Sequence, residues 1–284
     1  MPAPGLATAT LRVLGQDSLE AAETFLRDDP VTNVFIGSRL KVAREHGWRL
    51  SGELWGFLDG GQLHGLCYSG ANLVPATSDP RALRAFAERA KRQGRRCSSI
   101  VGPAPQIAEL WGHLEPAWGP PREYRADQPL MAITQAPLLT PDPRVRRVEP
   151  HELERILPAC IEMFTEEVGV SPVGADGGAL YRARVRELVM SGRAFARFDD
   201  DELVFKAEVG AASQEACQVQ GVWVPSRLRG QGISAPAMAA VVATAQATIA
   251  PVVSLYVNAF NVAARRAYER VGFNQVGQFS TVLF

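Results

Sequence analysis

The sequence predicts an α/β fold of mixed sheets, laid down twice along the chain. Three observations lead there. Runs of β-branched and aromatic residues alternate with stretches of helical apolar spacing over the 284 residues. Each half carries helices, a hairpin, a strand ending in Val-Pro (Val74-Pro75 and Val224-Pro225), then a helix, a strand, a helix and a last strand. Between the halves lies TQAPLLTPDP, residues 134–143, a proline-rich stretch of linker composition. The expected division is 1–135, a linker over 136–143, and 144–284, each large part being a twisted mixed sheet flanked by helices.

In the first half, residues 11–14 read as a short strand. Ser18 is placed to cap a helix over 20–27, and Asp28-Asp29-Pro30 ends it. A second helix is expected over 31–44. Residues 54–58 and 62–68 alternate around Asp59-Gly60-Gly61, a hairpin signal. A strand over 71–74 should stop at Pro75, because proline cannot donate to a ladder. Asp79-Pro80 opens a helix over 81–92, with Leu83, Phe86, Ala87 and Ala90 on one face. A strand over 97–101, a helix over 106–114 and a strand over 124–133 complete the half.

The second half repeats the plan. A strand over 144–148 precedes a helix over 151–167, in which Pro158 should kink or split the pattern. Residues 169–178 are a loop, and 180–190 a helix. Strands over 194–198 and 203–209 flank Asp199-Asp200-Asp201. A strand over 217–224 is followed by a loop and a helix. A strand over 252–258, a helix over 262–270 stopped by Gly272, and one or two strands over 273–284 finish the chain.

Composition excludes several functions. Hydrophobic residues make up 46% of the chain, enough for a sizeable core, and the formal net charge of zero lacks the footprint of a nucleic-acid binder. Cys67, Cys97, Cys160 and Cys217 are scattered, without metal-ligand spacing, so no metal site is expected. The N-terminal stretch lacks a basic start and an apolar core, and no apolar run is long enough to span a bilayer. No membrane association and a cytoplasmic location are the expectations.

Residues 220–240, QGVWVPSRLRGQGISAPAMAA, carry the chemistry. A strand stops at Pro225, and Arg227-Leu228-Arg229-Gly230-Gln231-Gly232 leads into a helix. Two glycines one residue apart let the backbone turn and approach a ligand closely. A helix N-terminus adds unpaired N–H groups and the positive end of a dipole. Together they form a cradle for an anion, most naturally phosphate. Pro236 requires that helix to start late, near Ser234, which leaves amides from Arg229 to Ser234 for the ligand.

Here the chain resembles the GNAT acyltransferase superfamily. The family signature, Gln/Arg-x-x-Gly-x-Gly/Ala after a strand, reads Arg227-x-x-Gly230-x-Gly232, and a second pattern downstream reads Asn258, Asn261, Tyr268 and Gly272-Phe273. The resemblance covers residues 144–284 and implies acetyl-CoA as acyl donor. It places Val222, Trp223, Val224, Arg229, Gly230, Gln231, Gly232, Ile233, Ser234, Asn258, Asn261 and Tyr268 along the cofactor. A backbone N–H of Trp223 or Val224 would polarise the thioester carbonyl. The Tyr268 hydroxyl would protonate the departing thiolate, since a phenol titrates only somewhat above a thiol. Taken alone, an aromatic at the helical spacing of Tyr268 is a core residue more often than not, and Asn261 reads at least as well as a helix cap.

The base is less well marked. Some family members carry a Glu on the cofactor strand; here Gln218 and Gln220 stand there, suited to acceptor contacts but not to proton removal. Glu208 on the neighbouring strand shares a face with Lys206, so a simple ion pair competes with a catalytic role. Glu166 and Glu167 close a helix where its dipole disfavours acids. They are the other catalytic candidates, either as bases or as attractors of the ammonium.

The resemblance implies acetyl transfer to a primary amine of a small molecule, peptide or protein, by direct attack in a ternary complex. The alternatives are an acyl-CoA-binding sensor without turnover, or a tandem transferase using another acyl or aminoacyl donor. The first half lacks the glycine pair and reads as a degenerate copy. It is expected to pack on the second as an intrachain pseudo-dimer and shape the acceptor channel, which is compatible with a monomer.

Overall fold

The computed structural model describes residues 9–174 and 176–284. Residues 1–8, part of the N-terminal stretch read above, and residue 175 in the expected loop lie outside the described residues. The chain divides into two compact units, Met1–Leu130 with Val276–Phe284, and Met131–Gln275. The last strand therefore groups with the first unit, and the break falls at residue 130 rather than in the proline-rich stretch.

The first unit holds β1 (Thr10–Val13), α1 (Leu19–Leu26), α2 (Val34–His46), β2 (Glu53–Asp59), β3 (Gln62–Ser69), β4 (Asn72–Ala76), α3 (Pro80–Gln93), β5 (Ser99–Pro103), α4 (Ala104–Trp118) and most of β6 (Glu123–Ile133). Pairings β1–β2, β2–β3 and β3–β4 are antiparallel, and β4–β5 is parallel. The Asp59-Gly60-Gly61 hairpin forms, with positive φ at both glycines. Ser18 makes no side-chain cap; a 3-10 turn over Gln16–Ser18 leads into α1 instead. Pro75 does not stop its strand. Its partner is Cys67 of β3, and the opposite edge pairs with β5 only through Asn72 and Leu73, so the missing N–H breaks no ladder there. Trp55, Phe86, Ile100, Ile107 and Leu110 form one core cluster, and Leu40, Leu54, Leu66 and Tyr68 belong to another.

The second unit holds β7 (Arg146–Arg147), α5 (Leu153–Val168), α6 (Ala179–Met190), β8 (Ala194–Asp199), β9 (Glu202–Ala212), β10 (Ala216–Trp223), α7 (Ser234–Thr248), β11 (Val252–Tyr256), α8 (Val262–Val271) and the start of β12 (Asn274–Leu283). The sheet runs β11-β10-β9-β8-β7, with only β10–β11 parallel. This is the sequence of pairings seen from β1 to β5, so the repeat read from the sequence exists as topology. Pro158 sits inside an unbroken α5. Helix α7 is buried on nearly every side by small residues, Ala235, Ala237, Ala239 and Ala245 among them, with Met238, Val241 and Val242 filling the rest. Phe195, Phe205, Val253 and Leu255 lie in the same core, as do Met131 and Ile133 from the end of β6.

The proline-rich stretch is held down rather than loose. Leu138 N–H donates to Val271 O at 2.8 Å, and Asp142 N–H to Pro236 O at 3.0 Å. The buried Asp142 carboxylate accepts from Arg144 and Arg197 at 3.1 and 3.0 Å.

Strand β12 is a single element. It runs antiparallel to β5, with Thr281 opposite Val101, and neighbours β6 through Ser280 Oγ to Ala126 O at 2.8 Å. No helix among the described residues is long and apolar enough to cross a membrane.

Candidate active site

Strand β10 feeds the glycine loop. It pairs with β11 only from Ala216 to Gln218; from Val219 onward the ladder between them ends, leaving a stretch of strand edge without that partner. Pro225 ends β10 and opens a 3-10 turn over Ser226–Leu228. Arg229 N–H turns back to Ser226 O at 3.3 Å, so it is not among the donors left for a ligand. The N–H groups of Gly230, Gln231, Gly232 and Ile233 have no backbone partner among the described residues. Gly230 and Gly232 both have φ of +78°, and a Cβ on either would meet nothing within 4 Å. These glycines are therefore needed for backbone conformation, with open space in front of them. Helix α7 starts at Ser234, as Pro236 demands, with the proline in its first turn.

The first unit shows what the same place looks like without a ligand site. The loop after β4 has no glycine pair, and Asp79 caps α3 with its own carboxylate, accepting from Arg81 N–H at 2.8 Å. The donors that could hold an anion there are already taken.

Downstream, Asn258 lies two residues past the end of β11 and accepts Asn261 N–H at 2.9 Å. Asn261 is the N-cap of α8, accepting from Ala264 N–H at 3.2 Å, so its side chain serves the helix. Tyr268 is buried in the core with its ring 5.9 Å from Phe273, and its hydroxyl has no protein partner among the described residues. Burial first, and Glu167 second, push its phenol well above the ordinary value, so it remains a proton donor.

The acids separate. Glu208 and Lys206 form a buried pair, Nζ to Oε1 2.8 Å, with side chains 8% and 2% exposed. Cys160 Sγ donates to the same carboxylate at 3.5 Å. Glu166, at the end of α5, meets Arg229 at 2.7 Å, while Arg229 Nε donates to Val224 O at 2.9 Å. Glu167 lies exposed beside it. Arg227 turns away to Glu202. Gln218 is buried opposite Ala211, whereas Gln220 is exposed and lies over Gly210.

Sequence reasoning missed a bulge. Gln220 pairs with Glu208 and Trp223 with Lys206, so Gly221 and Val222 together oppose Ala207 alone. Gly221 has φ of +61°, and Lys206 Nζ donates to its carbonyl at 3.0 Å. One signal was present: Lys206 is one of three lysines in the chain and directly follows the apolar run Leu203-Val204-Phe205. Trp223 Nε1 is buried without a hydrogen-bond partner among the described residues. A depression of about 330 Å³ lined by His151, Glu154, Arg182, Arg186 and Met190 holds none of these residues.

Residues 174–273 match the acetyltransferase (GNAT) family. The chain carries a GNAT acetyltransferase domain. Residues 52–156 match a domain of unknown function, DUF4081. None of the curated proteins matches the chain. Among solved structures it is similar to a GNAT-family acetyltransferase from Colwellia psychrerythraea, at 13% identity and TM-score 0.57, covering 97% of this chain and 99% of that one. It is also similar to a tandem GNAT protein from the clavulanic acid biosynthesis pathway, at 13% identity and TM-score 0.58, covering 97% and 98%. A GCN5-related N-acetyltransferase from Sphaerobacter thermophilus matches at 16% identity and TM-score 0.58, covering 98% and 95%. These likenesses concern the fold. The GNAT domain and the tandem GNAT fold agree with the family and fold class expected from the sequence, and the domain match supports acyl transfer, at family level, as the class of activity.

Proposed function

We propose that the protein transfers an acetyl group from acetyl-CoA to a primary amine, by direct attack in a ternary complex. The observation that carries this reading is the loop from Gly230 to Ile233. Its unclaimed N–H groups stand ahead of α7, and its glycines hold a conformation that leaves space before them. That arrangement fits a pyrophosphate. Acetyl-CoA supplies the acetyl group already activated as a thioester. Gly230, Gln231, Gly232, Ile233 and Ser234 would hold the phosphates, and the edge of β10 from Val222 to Val224 would lie beside the pantetheine arm.

The remaining steps belong to the chain's own groups. A backbone N–H of the bulged end of β10 polarises the acyl carbonyl. Tyr268 keeps a proton on its hydroxyl and delivers it to the leaving sulfur. Glu208 is committed to Lys206 and does not serve as a free base. Glu166 and Glu167, exposed at the end of α5, draw the ammonium form of the acceptor, which loses its proton to water.

Calorimetric titration with coenzyme A and acetyl-CoA, together with thiol release over a panel of amines, tests the proposal. Binding with amine-dependent release supports it. Binding without release for any amine favours the sensor reading, which draws on the engagement of Glu208. Absence of binding overturns both.

A further inference from the structure

Resting on that reading, we infer that Lys206 is a positioning residue, whose buried ammonium aims the Val222 N–H at the acyl carbonyl. The geometry begins with the peptide between Gly221 and Val222. A trans peptide points its C=O and N–H in opposite directions. Lys206 Nζ holds the Gly221 carbonyl at 3.0 Å, so the Val222 N–H is directed away from Lys206. Both residues stand out of register with β9, on the part of β10 that has also left β11.

The space around the bulge is filled to match. A Cβ on Gly221 would lie 3.2 Å from Glu208 Oε2, Lys206 Nζ and Met163 Cε, so the ammonium reaches the carbonyl only because residue 221 has no side chain. Glu208 fixes the ammonium at 2.8 Å, and Cys160 fixes Glu208. Burial alone would lower the pKa of Lys206. The Glu208 carboxylate and the Cys160 thiol outweigh it and raise the pKa, so the group stays charged. Stability does not account for the pair, since a buried ion pair contributes little over apolar residues of similar size. Its bond to the bulge carbonyl does.

The test reads the carbonyl directly and needs no acceptor. Acetyl-CoA labelled with 13C at the thioester carbonyl is bound to the native chain and to K206M/E208M, a double variant that leaves no unpaired charge. The carbonyl stretch is followed by isotope-edited infrared spectroscopy. The native chain should shift the stretch to lower frequency. The double variant should bind coenzyme A within about twofold of native, yet leave the stretch at its value in free acetyl-CoA. A native-like shift in the double variant overturns the inference. The neutral pair K206Q/E208Q gives a second reading where the methionine variant does not fold. It removes the ammonium but keeps polar side chains in its place and should lose most of the shift; a native-like shift there also overturns the inference. If the native chain binds no acetyl-CoA, the proposed function itself falls, whatever Lys206 does.

Discussion

Replacing Tyr268 by phenylalanine separates chemistry from binding and from folding. The hydroxyl has no protein partner among the described residues, so its removal strands no buried donor or acceptor. None of the roughly 1–3 kcal/mol that an orphaned group costs should be lost. The ring keeps its place beside Phe273, 5.9 Å away, so packing is conserved. Stability in urea should stay within about 0.5 kcal/mol of native, the scatter of neutral changes. Coenzyme A affinity should change less than about twofold, because the phosphates are held elsewhere. Turnover is another matter. A positioned proton donor contributes about 10² to 10⁴-fold, equivalent to roughly 3–5 kcal/mol of barrier. Thiol release on an amine accepted by the native chain should fall by at least about 100-fold on that scale. Turnover within twofold of native, with the fold intact, would refute the role of Tyr268.

Gly230→Val should weaken coenzyme A binding about tenfold, because a side chain at φ +78° is strained by about 1–2 kcal/mol and the loop relaxes out of shape; unchanged affinity by calorimetry would remove Gly230 from the cradle. Glu152 is held at a pKa of about 2, chiefly by hydrogen bonds from Arg146. Because the folded pKa is depressed, its stabilisation is complete above the unfolded value of about 4.3 and is lost as pH falls toward 2. Glu152→Gln should therefore cost about 3 kcal/mol at pH 7 and little at pH 2, and a pH-independent difference in urea would contradict this. Asp79→Ala should destabilise the first unit by about 1 kcal/mol without creating coenzyme A binding there, since the glycine pair is still missing.

Much of the fold follows from local signals. Gly60-Gly61 marks a hairpin because those positions need positive φ, and Gly272 stops α8 for the same reason. Pro236 fixed the start of α7 by its missing N–H. Pro75 misled because a strand's tolerance for proline depends on whether its neighbour is still paired, and that is a property of two strands. The bulge at Gly221 escaped for the same reason: register is decided between β9 and β10. Glu208 and Lys206 were legible as a same-face pair by alternation. Their link to Gly221 O and Cys160 was not, since neither partner is close in sequence. Arg229 illustrates a different gap. Its place in the loop was plain, but its side chain's contacts with Val224 O and Glu166 depend on where α5 ends.

Strand β12 has a consequence for how the protein is made. Val282 belongs to the same core as Trp55 and Phe86, and the Phe284 ring lies 5.7 Å, centroid to centroid, from both Trp111 (tilted) and Trp118 (edge-on). The first unit thus lacks an interior strand until residues 131–275 have been synthesised and Val276–Phe284 follows them. During translation its β5 edge and the apolar side chains behind it wait for Val276–Phe284. A fragment cut in the proline-rich stretch would keep that wait indefinitely. It should emerge with an open edge and a tendency to aggregate, even though it contains every residue up to the apparent boundary.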